Sequence, residues 1–206
     1  FSKAYRADDA ARVRHHGEQR LQAAASRMNA VVLPLTDGRT AAPVEFGPLR
    51  VTAFNVDHGV VQPAYGYRFD YHGRSVVVSG DTRKDGNLQL QAQDADILVH
   101  EAQNNDVLAE LGEALARSGD SHNAAIVRDV LDYHTTAVEA AEVARDANVD
   151  LLVIYHVAPP LPNRLVEKRF MRGVEAVGAR RVRLSQDGDV FELPLDGGGP
   201  VHFNLN

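Results

Sequence analysis

The stretch RSVVVSGDT, residues 74–82, decides the fold class. Its three central valines predict a short buried strand, since β-branched residues favour strands. The strand then stops at Gly80 and Asp81, where a glycine permits a sharp turn and a carboxylate follows it. In open α/β sheets, ligands gather at the carboxyl ends of strands, so this ending predicts a functional side chain at a sheet edge.

The residues on both sides of this stretch predict an α/β fold. Strands are expected at Val31–Leu35, Leu49–Val56, Gly66–Tyr71, Arg74–Ser79, Asp96–His100 and Val149–His156, with a hairpin turn at His72–Gly73. Helices are expected at Ala7–Met28, Asn104–Arg117, Asn123–Tyr133, Ala137–Asn148 and Leu165–Val177. Because strands alternate with helices after Asp81, the pattern predicts layered α/β structure in a single domain over residues 1–206.

The same kind of strand ending occurs four times. Besides Asp81, apolar runs lead into Asp57–His58, His100–Glu101 and His156. A cluster of His, Asp and Glu without Cys suits zinc, manganese or iron that activates water. Taken singly, each residue has a structural alternative: a hydrogen-bonded histidine, a turn or cap at Asp81, or an arginine partner for Glu101.

The composition excludes several classes of protein. The chain has 206 residues, 44% of them hydrophobic, and no Cys, which excludes disulfide scaffolds, thiol nucleophiles and iron–sulfur clusters. Its apolar runs are strand-sized, so no membrane span is expected. The formal net charge of −6 lacks the basic excess of a protein that binds a nucleic-acid backbone.

His134 stands immediately before a predicted helix. Thr136 and Glu139 have the spacing of a capping box, so the helix entrance would hold the imidazole in a fixed place. A neighbouring carboxylate could then tune its pKa for proton transfer, although a loop histidine that packs locally is the alternative. The remaining histidines are interpreted as structural or surface residues: His15, His16, His72, His122 and His202.

Basic residues are concentrated near the carboxyl end of the chain. Between Arg164 and Arg183, seven basic residues oppose Glu167 and Glu175. The simple interpretation is a solvated helix face. The sharper one is that Arg164, Lys168 and Arg172, four residues apart on one helix, steer an anionic substrate.

Five motifs in this order resemble a known family. They are Val56–Asp57–His58 followed by Pro63–Phe69, Ser79–Gly80–Asp81–Thr82, His100–Glu101–Ala102, His134–Thr135–Thr136, and His156 with Pro159–Pro160. This set is similar to the metallo-β-lactamase superfamily, and within it to the ribonuclease Z and arylsulfatase-like branch. The resemblance runs from about Asp57 to Pro160.

The resemblance implies a dinuclear hydrolase in an αββα sandwich. By matching positions, His58 would bind one of two divalent metal ions, His156 the other, and Asp81 would bridge them. Zinc is expected first, with manganese or iron as alternatives, and a bridging hydroxide would be the nucleophile. His134, oriented by Glu101, would protonate the leaving group or stabilise developing charge, while His100 is not expected to be a ligand.

One motif of that family is missing. The pattern H-x-H-x-D-H, which supplies the first metal ligands, does not occur, and the adjacent His15 and His16 cannot replace it. The expected explanation is that part of the amino-terminal half of the fold is absent from this sequence, so that the piece alone would be inactive; a catalytically degenerate scaffold is the alternative.

The resemblance leaves two classes of substrate. Related tRNA-processing enzymes carry a basic arm after the strand that ends near Phe69, and only twelve residues separate Phe69 from Asp81. A small ester, sulfate or phosphate is therefore the expected substrate, with nucleic acid disfavoured and a tRNA 3′-processing endonuclease as the alternative. A homo-oligomer, and a cytoplasmic or a periplasmic location, stay open.

Overall fold

The computed structural model of the chain describes residues 33–35 and 38–205. Seven strands form one mixed sheet whose spatial order follows the sequence. They are β1 (Val44–Phe46), β2 (Leu49–Asn55), β3 (Tyr65–Tyr71), β4 (Arg74–Val78), β5 (Ile97–Gln103), β6 (Leu151–Ala158) and β7 (Val182–Leu184). Strands β1 to β4 pair antiparallel, and β4 to β7 pair parallel.

Six α-helices lie within the described residues. They are α1 (Gly86–Gln91), α2 (Asn105–Arg117), α3 (Ser121–Asp129), α4 (Ala137–Asp146), α5 (Arg164–Phe170) and α6 (Val174–Val177), with a 3₁₀ turn at Val130–Asp132. Side-chain caps fix where the helices begin: Asn104 starts α2, and Thr136 starts α4 in a full capping box with Glu139. The capping box predicted from the sequence is therefore confirmed.

The sheet buries both of its faces. On one face, Leu98, Leu152 and Ile154 join a large core with residues of α1, α4 and α6. On the other face, Ile97, Leu151 and Val153 pack with Phe191 of β8 (Asp189–Glu192), which pairs with β9 (Val201–Asn204) in a second sheet. Alternate residues of one strand thus contact a helix layer and a second sheet, the order expected for half of an αββα sandwich.

Several sequence-based boundaries need correction. The predicted helix Leu165–Val177 is two helices, because Gly173 adopts a left-handed φ of 88° between α5 and α6. Arg172 therefore lies beyond α5 and does not continue the row of Arg164 and Lys168. The predicted helix Asn123–Tyr133 ends as α3 at Asp129 and continues only as the 3₁₀ turn.

One further strand boundary needs correction, and some predictions concern residues that the structure does not describe. Strand β5 does not end at His100 but runs on to Gln103, so His100 and Glu101 lie inside it. The predicted helix Ala7–Met28 lies outside the described residues, as does the start of the strand predicted at Val31–Leu35. The single domain over residues 1–206 stays a prediction. In the part of the chain that is described, no helix is both long and apolar enough to cross a bilayer.

Candidate functional site

The predicted site residues lie at one edge of the sheet. Strands β2, β4, β5 and β6 run in the same direction, because β2 and β4 are both antiparallel to the intervening β3. Their carboxyl ends therefore meet at the same edge. His58 follows β2, Asp81 follows β4, Glu101 belongs to β5 and His156 to β6.

The buried Glu101 and the half-buried His134 form a hydrogen-bonded pair at this edge. The Nδ1 of His134 lies 2.8 Å from Oε1 of Glu101, and the Glu101 side chain is only 1% exposed. The hydrogen bond to Glu101 raises the pKa of His134, assisted by the charges of Glu101 and Asp81 and opposed by partial burial. Because Nδ1 is engaged, Nε2 is the ring atom free to exchange a proton with another molecule.

His58 is oriented by the backbone of Tyr133. Its Nδ1 lies 2.8 Å from the Tyr133 carbonyl oxygen, which accepts a hydrogen bond. The Nδ1–H tautomer leaves the Nε2 lone pair available, the arrangement that orients histidines for metal binding. The His58 and His134 rings meet edge to face with centroids 4.9 Å apart, which joins His58 to the Glu101–His134 pair.

Asp81 and His156 face each other across the same edge. His156 Nε2 lies 3.5 Å from Asp81 Oδ1. Charge-assisted hydrogen bonds are shorter, at about 2.7–2.9 Å. Two ligands at about 2.0–2.1 Å on one tetrahedral ion would instead lie roughly 3.4 Å apart, so the pair has the spacing of neighbouring metal ligands. The His134 and His156 ring centroids are 6.5 Å apart, so His156 also belongs to this cluster.

A β-bulge aims His156 at the site. Strand β6 pairs Tyr155 with Glu101 and Val157 with Ala102, so His156 is an extra residue in the ladder. Its φ of 44° is left-handed, a conformation that side-chain-bearing residues adopt at a cost. The periodicity of β6 carries no signal for this bulge, and only the identity of the residue marked the position.

Close backbone packing holds Asp81. Gly80 has a φ of +64°, and a Cβ there would lie only 2.4 Å from the Tyr65 carbonyl oxygen. After Asp81, the Thr82 N–H donates to Glu101 Oε1 at 3.0 Å, and the Thr135 hydroxyl donates to the Thr82 carbonyl at 2.6 Å. The site thus depends on Thr82 and Thr135, both fully buried, which the sequence-based analysis did not single out as functional.

The residues fit a metal only in part. Asp81, His156 and a correctly oriented His58 supply the expected donor types at one edge. Within residues 33–35 and 38–205, however, no group of three or more His, Asp or Glu side chains is arranged to hold a metal ion. Two positions of a coordination shell are therefore spaced correctly, and the described residues do not complete the shell.

The other histidines lie apart from this cluster or outside the described residues. His100 is fully buried, and burial lowers its pKa while its Nδ1 donates to the Glu101 carbonyl. His202 pairs with Asp189 in the second sheet. His72 occupies the predicted hairpin turn with a φ of 48°, and His122 lies in the first turn of α3. His15 and His16 are outside the described residues.

Comparison with known proteins reveals related sequences. A family model for a beta-lactamase superfamily domain matches residues 5–157. A ribonuclease Z from Mycolicibacterium gilvum is 33% identical over 145 residues, which cover 67% of this chain and 44% of that protein. A ribonuclease Z from Mycobacterium tuberculosis H37Rv is 32% identical over 132 residues, covering 64% of this chain and 44% of that protein. The chain thus spans less than half the length of these two relatives.

Two solved structures share the fold. YhfI from Bacillus subtilis, a metallo-beta-lactamase fold protein, has a TM-score of 0.50 and 16% identity, covering 79% of this chain and 53% of that one. Igni18, a metallo hydrolase from Ignicoccus hospitalis, has a TM-score of 0.51 and 13% identity, covering 97% of this chain and 74% of that one. These likenesses confirm the predicted fold class.

The expectation that disfavoured nucleic acid as a partner is wrong. The curated relatives are ribonucleases by name, at 33% and 32% identity. The expectation rested on the net charge of −6, a sum over the whole sequence, and on the short distance along the chain from Phe69 to Asp81, which leaves no room for a basic arm. A sum does not report where charges lie, and the basic residues between Arg164 and Arg183 form a local excess that the acidic residues elsewhere conceal.

Proposed function

Since the chain belongs to the metallo-β-lactamase superfamily, in its ribonuclease Z branch, we propose that the complete natural protein hydrolyses phosphodiester bonds in RNA at the sheet edge described above. One observation carries the proposal. The Glu101–His134 pair, hydrogen-bonded at 2.8 Å, lies beside three side chains of metal-ligand type, His58, Asp81 and His156.

The Glu101–His134 pair suits proton transfer to a leaving group. Hydrolysis of a phosphodiester adds water to phosphorus, breaks one P–O bond and requires a proton on the departing oxygen. A protonated His134 would donate that proton from Nε2, while Glu101 holds Nδ1 and favours the charged ring. The Thr82 N–H donates to the same carboxylate oxygen, Oε1, which fixes the carboxylate and so the orientation of the imidazole.

We also propose two divalent ions, zinc in the first place and manganese or iron as alternatives. His58 and His156 would each contribute an Nε2 atom and Asp81 a carboxylate, together with ligands from outside the described residues. When bound, such ions would supply Lewis-acid stabilisation of the phosphate charge and an activated water. The 3.5 Å separation of His156 Nε2 and Asp81 Oδ1 supports this arrangement.

The test compares two substrates and two carboxylate variants. The complete natural protein should cleave a structured RNA with a 3′ extension, and rising salt between about 50 and 200 mM should weaken binding of the RNA steeply. Asp81→Ala should lower both the bound metal and the cleavage, each measured on the same sample. Asp129→Ala, an exposed acid at the end of α3, should change neither.

Two results would contradict the proposal. Efficient turnover of an aryl ester or aryl sulfate, with negligible RNA cleavage at every salt concentration, would assign a small substrate instead. Unchanged metal content and activity in Asp81→Ala would remove this edge of the sheet from the reaction.

A further inference from the structure

A cleft lies beside the Glu101–His134 pair. Its volume is about 240 Å³, and its walls are residues 103–106, residues 136–138, Arg169, Phe170 and Arg172. Gln103 and Thr136 form an isolated parallel bridge, and each lies two residues beyond a member of the pair. Two residues of chain span at most about 7 Å, so the cleft adjoins the proposed reaction centre.

Two helices begin at the cleft. Asn104 is the N-cap of the 13-residue α2, and Thr136 is the N-cap of the 10-residue α4. The cap side chains bond the N–H groups of Val107 and Glu139, which leaves earlier first-turn N–H groups without an intrahelical partner. The positive ends of both helix dipoles therefore favour an anionic group there.

Arg172 adds an unpaired positive charge. The other cleft arginine, Arg169, is bound to Glu110 at 2.6 Å. Arg172 is exposed, and its guanidinium has no hydrogen bond or ion pair with any residue of the described part of the chain. Asp106 is the acid among the lining residues, so the cleft offers separate positive and negative positions.

Gln103 supplies an unsatisfied acceptor. Its side-chain nitrogen donates to Asn105 Oδ1 at 2.7 Å and to the Val130 carbonyl at 3.0 Å, which fixes the orientation of the amide. Gln103 is 2% exposed, and its Oε1 has no hydrogen-bond partner among the described residues. Buried acceptors normally have a partner, and less than 1 Å² of this oxygen is exposed, so a donor from a bound molecule would reach it only with a small shift of the surrounding side chains.

We propose that this cleft binds one nucleotide of the RNA strand next to the bond that is cleaved. The phosphate would lie against Arg172 and the helix N-termini, while a sugar hydroxyl or a base N–H would satisfy Gln103. A nucleotide fits the cleft better than inorganic phosphate does, because its neutral sugar and base would occupy the volume that remains beside the phosphate. The identity of the ligand rests on the proposed function, whereas binding itself can be measured without catalysis.

The first experiment measures binding to the complete natural protein by calorimetry. Adenosine monophosphate should bind at least about tenfold more tightly than inorganic phosphate. Arg172→Gln should weaken nucleotide binding by about tenfold or more, the scale of one lost charged hydrogen bond. The matched control is Arg117→Gln, an exposed arginine at the carboxyl end of α2 outside the cleft lining, which should bind like the parent.

The second experiment measures RNA cleavage by the same variants. Arg172→Gln should raise KM for RNA about tenfold at similar kcat and leave turnover of a small chromogenic phosphodiester unchanged. Equal nucleotide binding in the two arginine variants, or equal affinity for phosphate and nucleotide, would overturn the proposal. If nucleotide binding depends on Arg172 but no RNA is cleaved, the cleft assignment stands and the proposed function fails.

Discussion

Two regions of the molecule each pair a histidine with a buried carboxylate. At the sheet edge, His134 lies 2.8 Å from Glu101; in the second sheet, His202 lies 2.7 Å from Asp189. The carboxylates are 1% and 6% exposed, so distance and burial do not separate the two pairs.

The surroundings of the two pairs differ. Asp189 also accepts hydrogen bonds from the Gln186 N–H at 2.9 Å and the Asn204 amide at 2.9 Å, and His202 packs against Phe191. His134 instead neighbours His58 and His156 at the carboxyl ends of parallel strands. Because Glu101 also accepts a backbone N–H, from Thr82, the two pairs differ mainly in what the imidazole faces: an aromatic ring at His202, and ligand-type side chains at His134.

The largest expected difference between the two histidines is in the effect of their removal on RNA cleavage. His134→Ala should reduce RNA cleavage by the complete natural protein by roughly 100-fold or more, since a positioned acid contributes about that much, with metal content nearly unchanged. His202→Ala removes the equivalent ring of the second sheet and should leave kcat and KM as in the parent. Comparable losses in both variants would mean that the sheet edge has no special role for histidine.

A smaller difference is expected in the loss of stability when a glycine of each region is replaced by alanine. Gly80→Ala should lower the free energy of unfolding by about 3 kcal/mol, because the new Cβ would meet the Tyr65 carbonyl at 2.4 Å in a left-handed conformation. Gly197 lies in the segment between β8 and β9, has a φ of +92° and has open space around it, so Gly197→Ala should cost only about 1 kcal/mol. Chemical denaturation of both variants measures the difference, and equal costs would show that close packing at Gly80 does not matter.

The smallest difference concerns acid stability. Burial raises the pKa of Asp189, but hydrogen bonds from Asn204, Gln186 and His202 outweigh it and lower the pKa from 3.8 to about 2. Because the folded pKa is depressed, the stabilisation is present above pH 3.8 and is lost as pH falls towards 2. After allowance for screening it amounts to about 1 kcal/mol. Asp189→Asn should flatten this part of the stability curve, measured as midpoint against pH; an unaltered slope would contradict the assignment.

The sequence predicted which residues lie at the edge of the sheet better than it predicted where the strands and helices begin and end. Apolar runs ending in Asp57–His58 and Gly80–Asp81 correctly predicted that His58 and Asp81 follow strands, because a change from valine to polar residues coincides with a strand end. In β5 the change from apolar to polar residues does not coincide with a strand end, because His100 and Glu101 are buried within the strand. Burial of a charged residue depends on partners such as Thr82, which are distant along the chain.

Other features had weak or misleading local signals. The strands β8 and β9 contain four residues each, and a Gly-rich segment lies between them, so periodicity could not reveal their pairing. Helix propensity around Leu165–Val177 hid the break at Gly173, since a single glycine is tolerated in many helices. The summed charge concealed Arg172, which has no ion pair within the described part of the chain and whose position depends on that break.

The bulge at His156 also bears on how such a site could be lost. Tyr155 pairs with Glu101 and Val157 with Ala102, so the ladder would close without interruption if residue 156 were deleted. A related chain one residue shorter at this point could keep an unbroken strand and a buried core while lacking the imidazole altogether. In an alignment of homologues, a gap at this position would therefore mark loss of the proposed metal ligand more reliably than a substitution.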